Sequence, residues 1–284
     1  MAANVREILG RIGNIEDIRQ ITRAMNAIAM TKVTRLKRRL AATAPMQEEL
    51  EAFLAALLSQ PSARVDPHPL TVDNGSPNVG VLVLNADRGL CGRFRGEVNR
   101  RGTELVDEAG ATARLIVGGE KARSYFARRR IEPLKAYAHA YARPTMAFAR
   151  EMADALIGLY RDREIGRCAA VVMRFESDLV QRIAVLPLLP LEVAPVEGEA
   201  MFEPEVPRLL DAALPILLQG RLFEALLHTR TSEEAIRRQA MRDATDNAGE
   251  LVDHLRRTYY KARQQGITRE IADIMGGAEA LRSR

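Results

Sequence analysis

The sequence contains no tryptophan, and aromatic residues make up only 5% of its 284 residues. It has two cysteines, Cys91 and Cys168, which are far apart and outside any CxxC pair. This excludes a disulfide framework and a cysteine-based zinc site, and it fits a reducing compartment. None of the four histidines stands at an HExxH or other ligand spacing, so the sequence does not support metal binding. The longest uncharged apolar candidate, residues 183–191, contains two prolines and is too short for a membrane-spanning helix.

Charge is unevenly distributed along the chain. The net charge is +5 with an isoelectric point near 9.5, and residues 1–40 carry nine basic against three acidic side chains. An acidic partner is therefore expected. Nucleic acid is a weak candidate for that partner, because no basic run has aromatic residues interleaved as a stacking platform.

Apolar residues at both ends of the chain recur at spacings of three and four, which is typical of helices. The first stripe comprises Val5, Ile8, Ile12, Ile15, Ile18, Ile21, Met25, Ile28, Leu36 and Leu40. The second comprises Ile236, Ala240, Ala244, Ala248, Leu251, Leu255, Tyr259 and Ala262, in a helical segment expected from about 206 to 275. Narrow stripes on such long helices indicate an antiparallel coiled coil between them. The alternative is that each helix packs on its own domain.

Between these helices, short β-branched runs alternate with helical patterns. Strands are expected at 79–84, 114–119, 168–175 and 182–188, and helices at about 95–109, 120–129 and 144–162. This order favours βαβ units and a mainly parallel sheet, with the last two strands as a hairpin at its edge. The sequence thus predicts a central Rossmann-like α/β domain at 79–205. A disordered linker at 59–78 joins it to a helical segment at 1–58, and a second helical segment follows at 206–284.

The sequence contains no clear catalytic or nucleotide-binding motif. The turn NADRGLCGRF at 85–94 contains Gly89 and Gly92 but makes neither GxGxxG nor a P-loop, and residues 118–121 fall short in the same way. Cys91 in this turn is better explained as a small buried thiol than as a nucleophile. The residues therefore favour a mechanical or interaction element over an enzyme.

Three segments carry a resemblance to a known family: RQITRAMNAIAMTKV at 19–33, DRGLCGRF at 87–94, and the C-terminal stretch from 240 to 281 with ATDNAGEL, ARQ, IT and GGAEAL. Together they resemble the gamma subunits of F-type ATP synthases, over the whole chain and in order. The sequence departs from the family's usual GLCGGFN at Arg93 and Arg95, and it has AIAMTKV where MVAASKM is usual, with Lys32 retained. These departures suggest a divergent branch, such as the alternate, sometimes sodium-linked, bacterial F-type ATPases. The absence of a chloroplast redox insert and of a mitochondrial transit peptide also implies a bacterial source.

The resemblance implies a non-catalytic central-stalk rotor that couples ion flow through a membrane ring to ATP synthesis or hydrolysis on beta subunits. The implied partners are the alpha/beta hexamer, the epsilon subunit and the membrane c-ring. No cofactor is implied, and the chain would lie peripherally at the cytoplasmic face of the bacterial membrane. The rivals are a Rossmann-like nucleotide-binding or redox enzyme with helical appendages, and a basic coiled-coil scaffold for nucleic acid.

The resemblance also implies two sets of contact residues. The expected beta-subunit contacts are Met25, Lys32, Arg237, Gln264, Thr268 and Glu270. If the α/β domain, here called the foot, docks on the ring, the surface around Arg93, Arg95 and Arg100 is a candidate for pairing with acidic loops of the ring. The alternative is that these arginines form a solvated surface. For Arg237 the alternative is an ion pair within its own helix, with Glu233 or Glu234 at helical spacing.

Overall fold

The computed structural model describes residues 2–138, 144–194, 196 and 201–282. Six helices, five strands and a short 3₁₀ turn at Gly110–Thr112 lie in these ranges. The helices are α1 (Ala2–Leu58), α2 (Pro61–Val65), α3 (Phe94–Ala109), α4 (Glu120–Arg128), α5 (Met146–Arg161) and α6 (Val206–Arg282). The strands are β1 (Val79–Leu84), β2 (Ala113–Gly118), β3 (Lys135–Tyr137), β4 (Arg167–Phe175) and β5 (Gln181–Leu189).

The five strands form one sheet in the order β3-β2-β1-β4-β5. The first four pair in parallel, and β5 pairs antiparallel with β4 at the edge. This confirms the predicted Rossmann-like sheet with a hairpin edge, and β3 is the strand that the sequence pattern missed. The four parallel strands need helical crossovers, which α3, α4 and α5 provide.

The chain divides into two compact units, and the division cuts through both long helices. One unit, here called the helical unit, comprises residues 1–29 and 238–284, and the other, the sheet unit, comprises residues 30–237. The predicted domain limits follow the ends of secondary-structure elements rather than these compact units, and they stay a prediction. The predicted segments are 1–58, 59–78, 79–205 and 206–284. Residues 139–143, 195 and 197–200 of the predicted 79–205 domain lie outside the described residues.

In the helical unit, α1 and α6 pack against each other as predicted, but not along the whole predicted stripe. Ile8 and Ile12 form a buried cluster with Val252 and Leu255. Four residues of the predicted stripes are exposed instead, namely Ile18, Ile21, Ile28 and Leu251.

The correction follows from helix geometry. Each residue advances about 100° around a helix, so a repeated spacing of three falls behind by about 60° at every step. Ile18 and Ile21 have therefore rotated away from the face that Ile15 occupies. Thr22, seven residues after Ile15, returns to that face, and its hydroxyl lies 2.8 Å from that of Thr245 on α6. Spacings of three and four that alternate and so keep a seven-residue repeat mark the contact, whereas consecutive spacings of three do not.

In the sheet unit, α1 and α6 flank the sheet and contribute to its core. Leu54 and Leu57 of α1 are fully buried together with Leu214, Leu217 and other leucines of α6. The guanidinium of Arg221 on α6 lies 3.1 Å from the Glu51 carboxylate on α1. Among the described residues, no helix is long and apolar enough to cross a membrane.

The segment 59–78 is ordered, which corrects the predicted disordered linker. Leu70 is fully buried, and its carbonyl accepts a 2.7 Å hydrogen bond from the Leu191 amide. The Asn74 side-chain amide donates to the carbonyls of Tyr160 and Ile165 at 2.7 and 2.8 Å. Polar turn residues thus fix this segment by specific hydrogen bonds, which composition alone does not reveal.

Candidate partner-contact site

In the sheet unit, five charged side chains form one group, here called the ion cluster: Lys32, Arg230, Glu233, Glu234 and Arg237. Four of them come from two turns of α6, where the spacings of three and four place them on neighbouring positions. Arg230 binds Glu233 and, at 2.5 Å, Glu234. Arg237 binds Glu233 and, at 2.9 Å, Glu234. Lys32 of α1 completes the group at 3.1 Å from Glu234.

Three members of the ion cluster, Glu233, Glu234 and Arg237, are buried, because every residue of α6 from 231 to 237 is buried. Glu233 and Glu234 are both 0% exposed, and Arg237 is 7% exposed. The Ser232 hydroxyl donates to the Met173 carbonyl of β4 at 2.9 Å. Val33 of α1 packs with Phe175 and Ala235. The ion cluster therefore lies where α1, α6 and the sheet meet.

The pKa values within the ion cluster respond to burial and to charge in opposite directions. Burial alone raises the pKa of Glu234, but the charges of Arg230, Arg237 and Lys32 outweigh it, so the pKa lies below its ordinary value. Burial alone lowers the pKa of Arg237, and the carboxylates of Glu233 and Glu234 more than reverse this. Both groups are therefore held in their charged forms.

This arrangement gives Arg237 and Lys32 structural neighbours within the chain. Arg237 makes ion pairs within its own helix, which is the expected alternative to a beta-subunit contact. It also approaches the Gly89 carbonyl at 3.5 Å. Lys32 keeps about 40% of its side chain exposed while bound to Glu234. The contact of either residue with a beta subunit stays a prediction. For Arg237, burial leaves little side-chain surface for a partner.

The other expected beta-subunit contacts lie in the helical unit. Gln264, Thr268 and Glu270 are exposed on α6, and the Thr268 hydroxyl donates to the Gln264 carbonyl at 2.9 Å. Met25 is half-buried on α1. Exposed apolar side chains adjoin the α6 residues: Ile267, Ile271, Ile274 and Met275. This surface is thus available for a partner and partly apolar, as protein interfaces often are.

The three arginines expected in the foot differ in their surroundings. Arg93 binds both oxygens of Glu97 at 2.7 and 2.8 Å and donates to the Gln181 carbonyl at 3.1 Å. Its backbone has φ −70°, so a side chain is accepted without strain where the family usually has glycine. Arg100 is paired with Glu104 at 3.3 Å. Arg95 makes no ion pair within the described part of the chain, and it borders a cavity with Lys121 and Arg128.

Sequence reasoning missed three of these charged residues. Lys121 and Arg128 are far from Arg95 in sequence, and no motif connects them. Arg230, in contrast, had a readable signal. It stands three and four residues before Glu233 and Glu234, which stand four and three residues before Arg237, and such spacings predict ion pairs along a helix. Among the described residues, no group of histidine, cysteine and carboxylate side chains could hold a metal ion.

Comparison with known proteins places the chain in a family. The model of the ATP synthase family matches residues 4–281. The ATP synthase gamma chain of Symbiobacterium thermophilum is 33% identical over 288 residues, covering 99% of both chains. That of Mycolicibacterium vanbaalenii is 36% identical over 308 residues, again covering 99% of both.

Solved structures show the same fold at low identity. A chain of the Euglena gracilis mitochondrial ATP synthase matches with a TM-score of 0.70 and 15% identity, covering all of this chain and 96% of that one. A chain of the central stalk and c-ring of the Tetrahymena thermophila enzyme matches with a TM-score of 0.62 and 18% identity, covering 79% and 99%. The protein belongs to the ATP synthase family and, within it, to the gamma chains.

Proposed function

We propose that this chain is the rotating central-stalk subunit of an F-type ATP synthase and is itself non-catalytic. The observation that carries the proposal is the match to gamma chains over almost the entire sequence, at both ends and in the middle. The paired α1 and α6 of the helical unit and the five-stranded sheet unit have the architecture of a shaft and a foot. The rival enzyme and nucleic-acid scaffold have no comparable support.

The physical role of such a subunit is coupling by unequal contact. A rotor can shift the conformational equilibrium of a beta subunit only if it touches the open and closed forms with different free energies. Exposed polar side chains on a helix meet this requirement, because their hydrogen bonds form in one rotary position and break in the next. Gln264, Thr268 and Glu270 are such side chains, and Met25 adds partly exposed apolar surface.

The proposed partners are the alpha/beta hexamer, the epsilon subunit and the membrane c-ring. The chain would lie peripherally at the cytoplasmic face of the bacterial membrane, associated with it through the complex. Arg93, Arg95 and Arg100 are proposed to face the ring. Arg93 and Arg100 would have to exchange or share their present carboxylate partners to pair with the ring, whereas Arg95 is already available.

The proposal is tested by purifying the complex from its host through a tag on this chain. We expect alpha and beta subunits to co-purify, and ATP hydrolysis in inverted membrane vesicles to drive ion uptake. Removal of this chain should leave the vesicles unable to couple hydrolysis to uptake. Nucleotide turnover by the isolated chain, or co-purification without the hexamer, would contradict the assignment.

The same vesicles identify the coupling ion. Stimulation of hydrolysis by sodium at constant pH, with uptake insensitive to a protonophore, would place the complex in the sodium-linked branch. Collapse of uptake by the protonophore would indicate protons.

A further inference from the structure

A surface cavity of about 400 Å³ lies between α3 and α4 in the sheet unit. Arg95 and Gly96, in the first turn of α3, border one side of the cavity. Lys121 and Arg128, near the two ends of α4, border the other side. Its volume lies in the range of small-molecule sites in proteins.

All the charged side chains that border this cavity are cations. Arg95, Lys121 and Arg128 make no ion pair within the described part of the chain. Two carboxylates close to these cations in sequence pair with other arginines. Glu97 binds Arg93 at 2.7 Å, and Glu120 binds Arg123 at 2.9 Å.

The other arginines on the same two helices differ from the cations at the cavity. Arg93, directly before α3, and Arg100 and Arg101 on α3 are each paired with a glutamate. Arg123 on α4 is paired in the same way. On α3 and α4, the cations without an ion pair are therefore the three at the cavity, where their mutual repulsion is uncompensated by the described part of the chain.

Uncharged donors add to the positive character of the site. Asn99 is buried at the cavity wall, and its side-chain oxygen accepts a 2.6 Å hydrogen bond from the Asn85 amide. The group of Asn99 left for another partner is its amide nitrogen, a donor. Gly96 lies in the first turn of a 16-residue helix, where backbone N–H groups carry partial positive charge.

We infer that this cavity binds a small polyanion of the diphosphate or triphosphate class, supplied either as inorganic polyphosphate or as the phosphate tail of a nucleotide. Three cations and additional donors match about three negative charges on closely spaced oxygens. Arginine recognises phosphate with two parallel hydrogen bonds, and lysine adds a point charge. A concave site of this volume suits a small ligand better than an acidic protein segment, which needs a broad surface for stable docking. The inference does not depend on the rotor function, and it gives Arg95 a different partner from the ring.

The first experiment is a calorimetric titration of the full-length chain with tripolyphosphate in a magnesium-free buffer, which measures the binding affinity. A variant with Arg95→Gln, Lys121→Gln and Arg128→Gln loses the three cavity charges. A matched variant with Arg100→Gln, Arg101→Gln and Arg123→Gln loses three paired charges from the same helices.

We expect saturable binding by the natural chain and by the matched variant. The cavity variant should bind at least about tenfold more weakly, since one charge-assisted hydrogen bond contributes that much. Equal loss in both variants would show that only net charge matters, and would overturn the inference. So would the absence of saturable binding by the natural chain.

Competition distinguishes the two sources of phosphate from a protein partner. If ATP and ADP displace tripolyphosphate at lower concentrations than pyrophosphate does, the ligand is a nucleotide. If all phosphates act in order of charge alone, it is inorganic polyphosphate. Both results support the inference. If a hexaglutamate peptide binds more tightly than any phosphate, the cavity is a docking site for an acidic segment and the inference fails.

A second measurement avoids the risk that a variant fails to fold. Acetylation of lysines in the natural chain is followed by mass spectrometry, with and without tripolyphosphate. Lys121 should be protected severalfold, whereas the exposed Lys135, which does not border the cavity, should react equally in both samples. Equal reactivity of Lys121 in both samples would overturn the inference.

Discussion

At the scale of single residues, the ion cluster shows how strongly burial changes the role of a charge. Arg237 was expected to reach a partner, yet it lies between two glutamates that are fully shielded from water. A buried ion pair contributes little net stability compared with apolar residues of the same volume. Removal of one partner is costly, because the other charge stays buried without compensation. Arg237 thus has a structural role that any partner contact must share.

The substitution Arg237→Ala tests this role. We expect the free energy of unfolding to fall by about 3 to 5 kcal/mol, because Glu233 and Glu234 lose a counter-charge in a buried setting. Urea denaturation of the full chain measures it. The matched control is Arg123→Ala, which removes an exposed pair with Glu120 and should change stability by less than about 1 kcal/mol. Normal stability of Arg237→Ala combined with lost ATP hydrolysis in the complex would instead show that its main contact is with a beta subunit.

The lowered pKa of Glu234 makes a prediction about acid. In the folded state the pKa of Glu234 lies below its ordinary value of 4.5. As the pH falls, this carboxylate is therefore protonated in the unfolded chain before it is protonated in the folded chain. The contribution of the charged Glu234 to the free energy of unfolding is complete above the ordinary pKa, and it is lost as the pH falls through the folded-state pKa. Urea denaturation between pH 7 and pH 3 should therefore show stability decreasing below about pH 4.5. The variant Glu234→Gln should flatten this part of the profile, and an unchanged profile would contradict the assignment.

At the scale of elements, the contact of α1 and α6 depends on rotational position rather than on hydrophobicity. Leu251 and Val252 are adjacent on α6 and both apolar. Val252 is 1% exposed in the cluster with Ile8 and Ile12, whereas Leu251 is 41% exposed. One step along the helix turns the side chain by about 100°, which is enough to move it from the contact to solvent.

This pair supplies its own control. The substitution Val252→Ala should lower the free energy of unfolding by about 2 kcal/mol, from the lost burial of two methyl groups and the cavity left behind. Leu251→Ala removes more apolar atoms but should cost less than about 0.5 kcal/mol in the full chain, since it lies at the surface. Thermal and urea unfolding measure both. A larger loss for Leu251→Ala would mean that the helices pack along the stripe expected from spacing alone.

At the scale of the whole molecule, function requires that exposed groups meet partners while the buried contacts hold the chain together. Gln264, Thr268 and Glu270 are exposed on α6, so their removal should leave the fold intact. Glu233, Glu234 and the leucine core, in contrast, are buried within the chain. The two kinds of residue should therefore separate in experiments that measure stability and turnover together.

The triple substitution Gln264→Ala, Thr268→Ala and Glu270→Ala should lower ATP hydrolysis and coupled ion uptake by the complex. The unfolding of the isolated chain should change by less than about 1 kcal/mol. The matched control is Asp253→Ala, Arg257→Ala and Lys261→Ala, which removes three exposed side chains from an earlier part of the same helix. If the two variants lose activity equally, the contact is spread along α6. If neither loses activity, these residues do not transmit torque.

The sequence by itself determined the class of the fold. Apolar spacings of three and four gave the two long helices, and β-branched runs separated by helical patterns gave the sheet, because these periods reflect backbone geometry within a few residues. The segments at 19–33, 87–94 and 240–281 carried the family resemblance, which the family match over residues 4–281 confirms. These are local or linear properties, and a single chain displays them directly.

The tertiary structure decided which residues are available. Only packing shows that Arg237 is buried, and that Val252 rather than Leu251 lies in the contact between the helices. Only packing shows that hydrogen bonds of Asn74 fix a segment expected to be disordered. Only packing brings Arg95, Lys121 and Arg128 to one cavity while Arg100 and Arg123 are neutralised nearby. The physical reason is that burial and charge pairing are sums over groups distant in sequence. A residue's type and its near neighbours do not contain that sum.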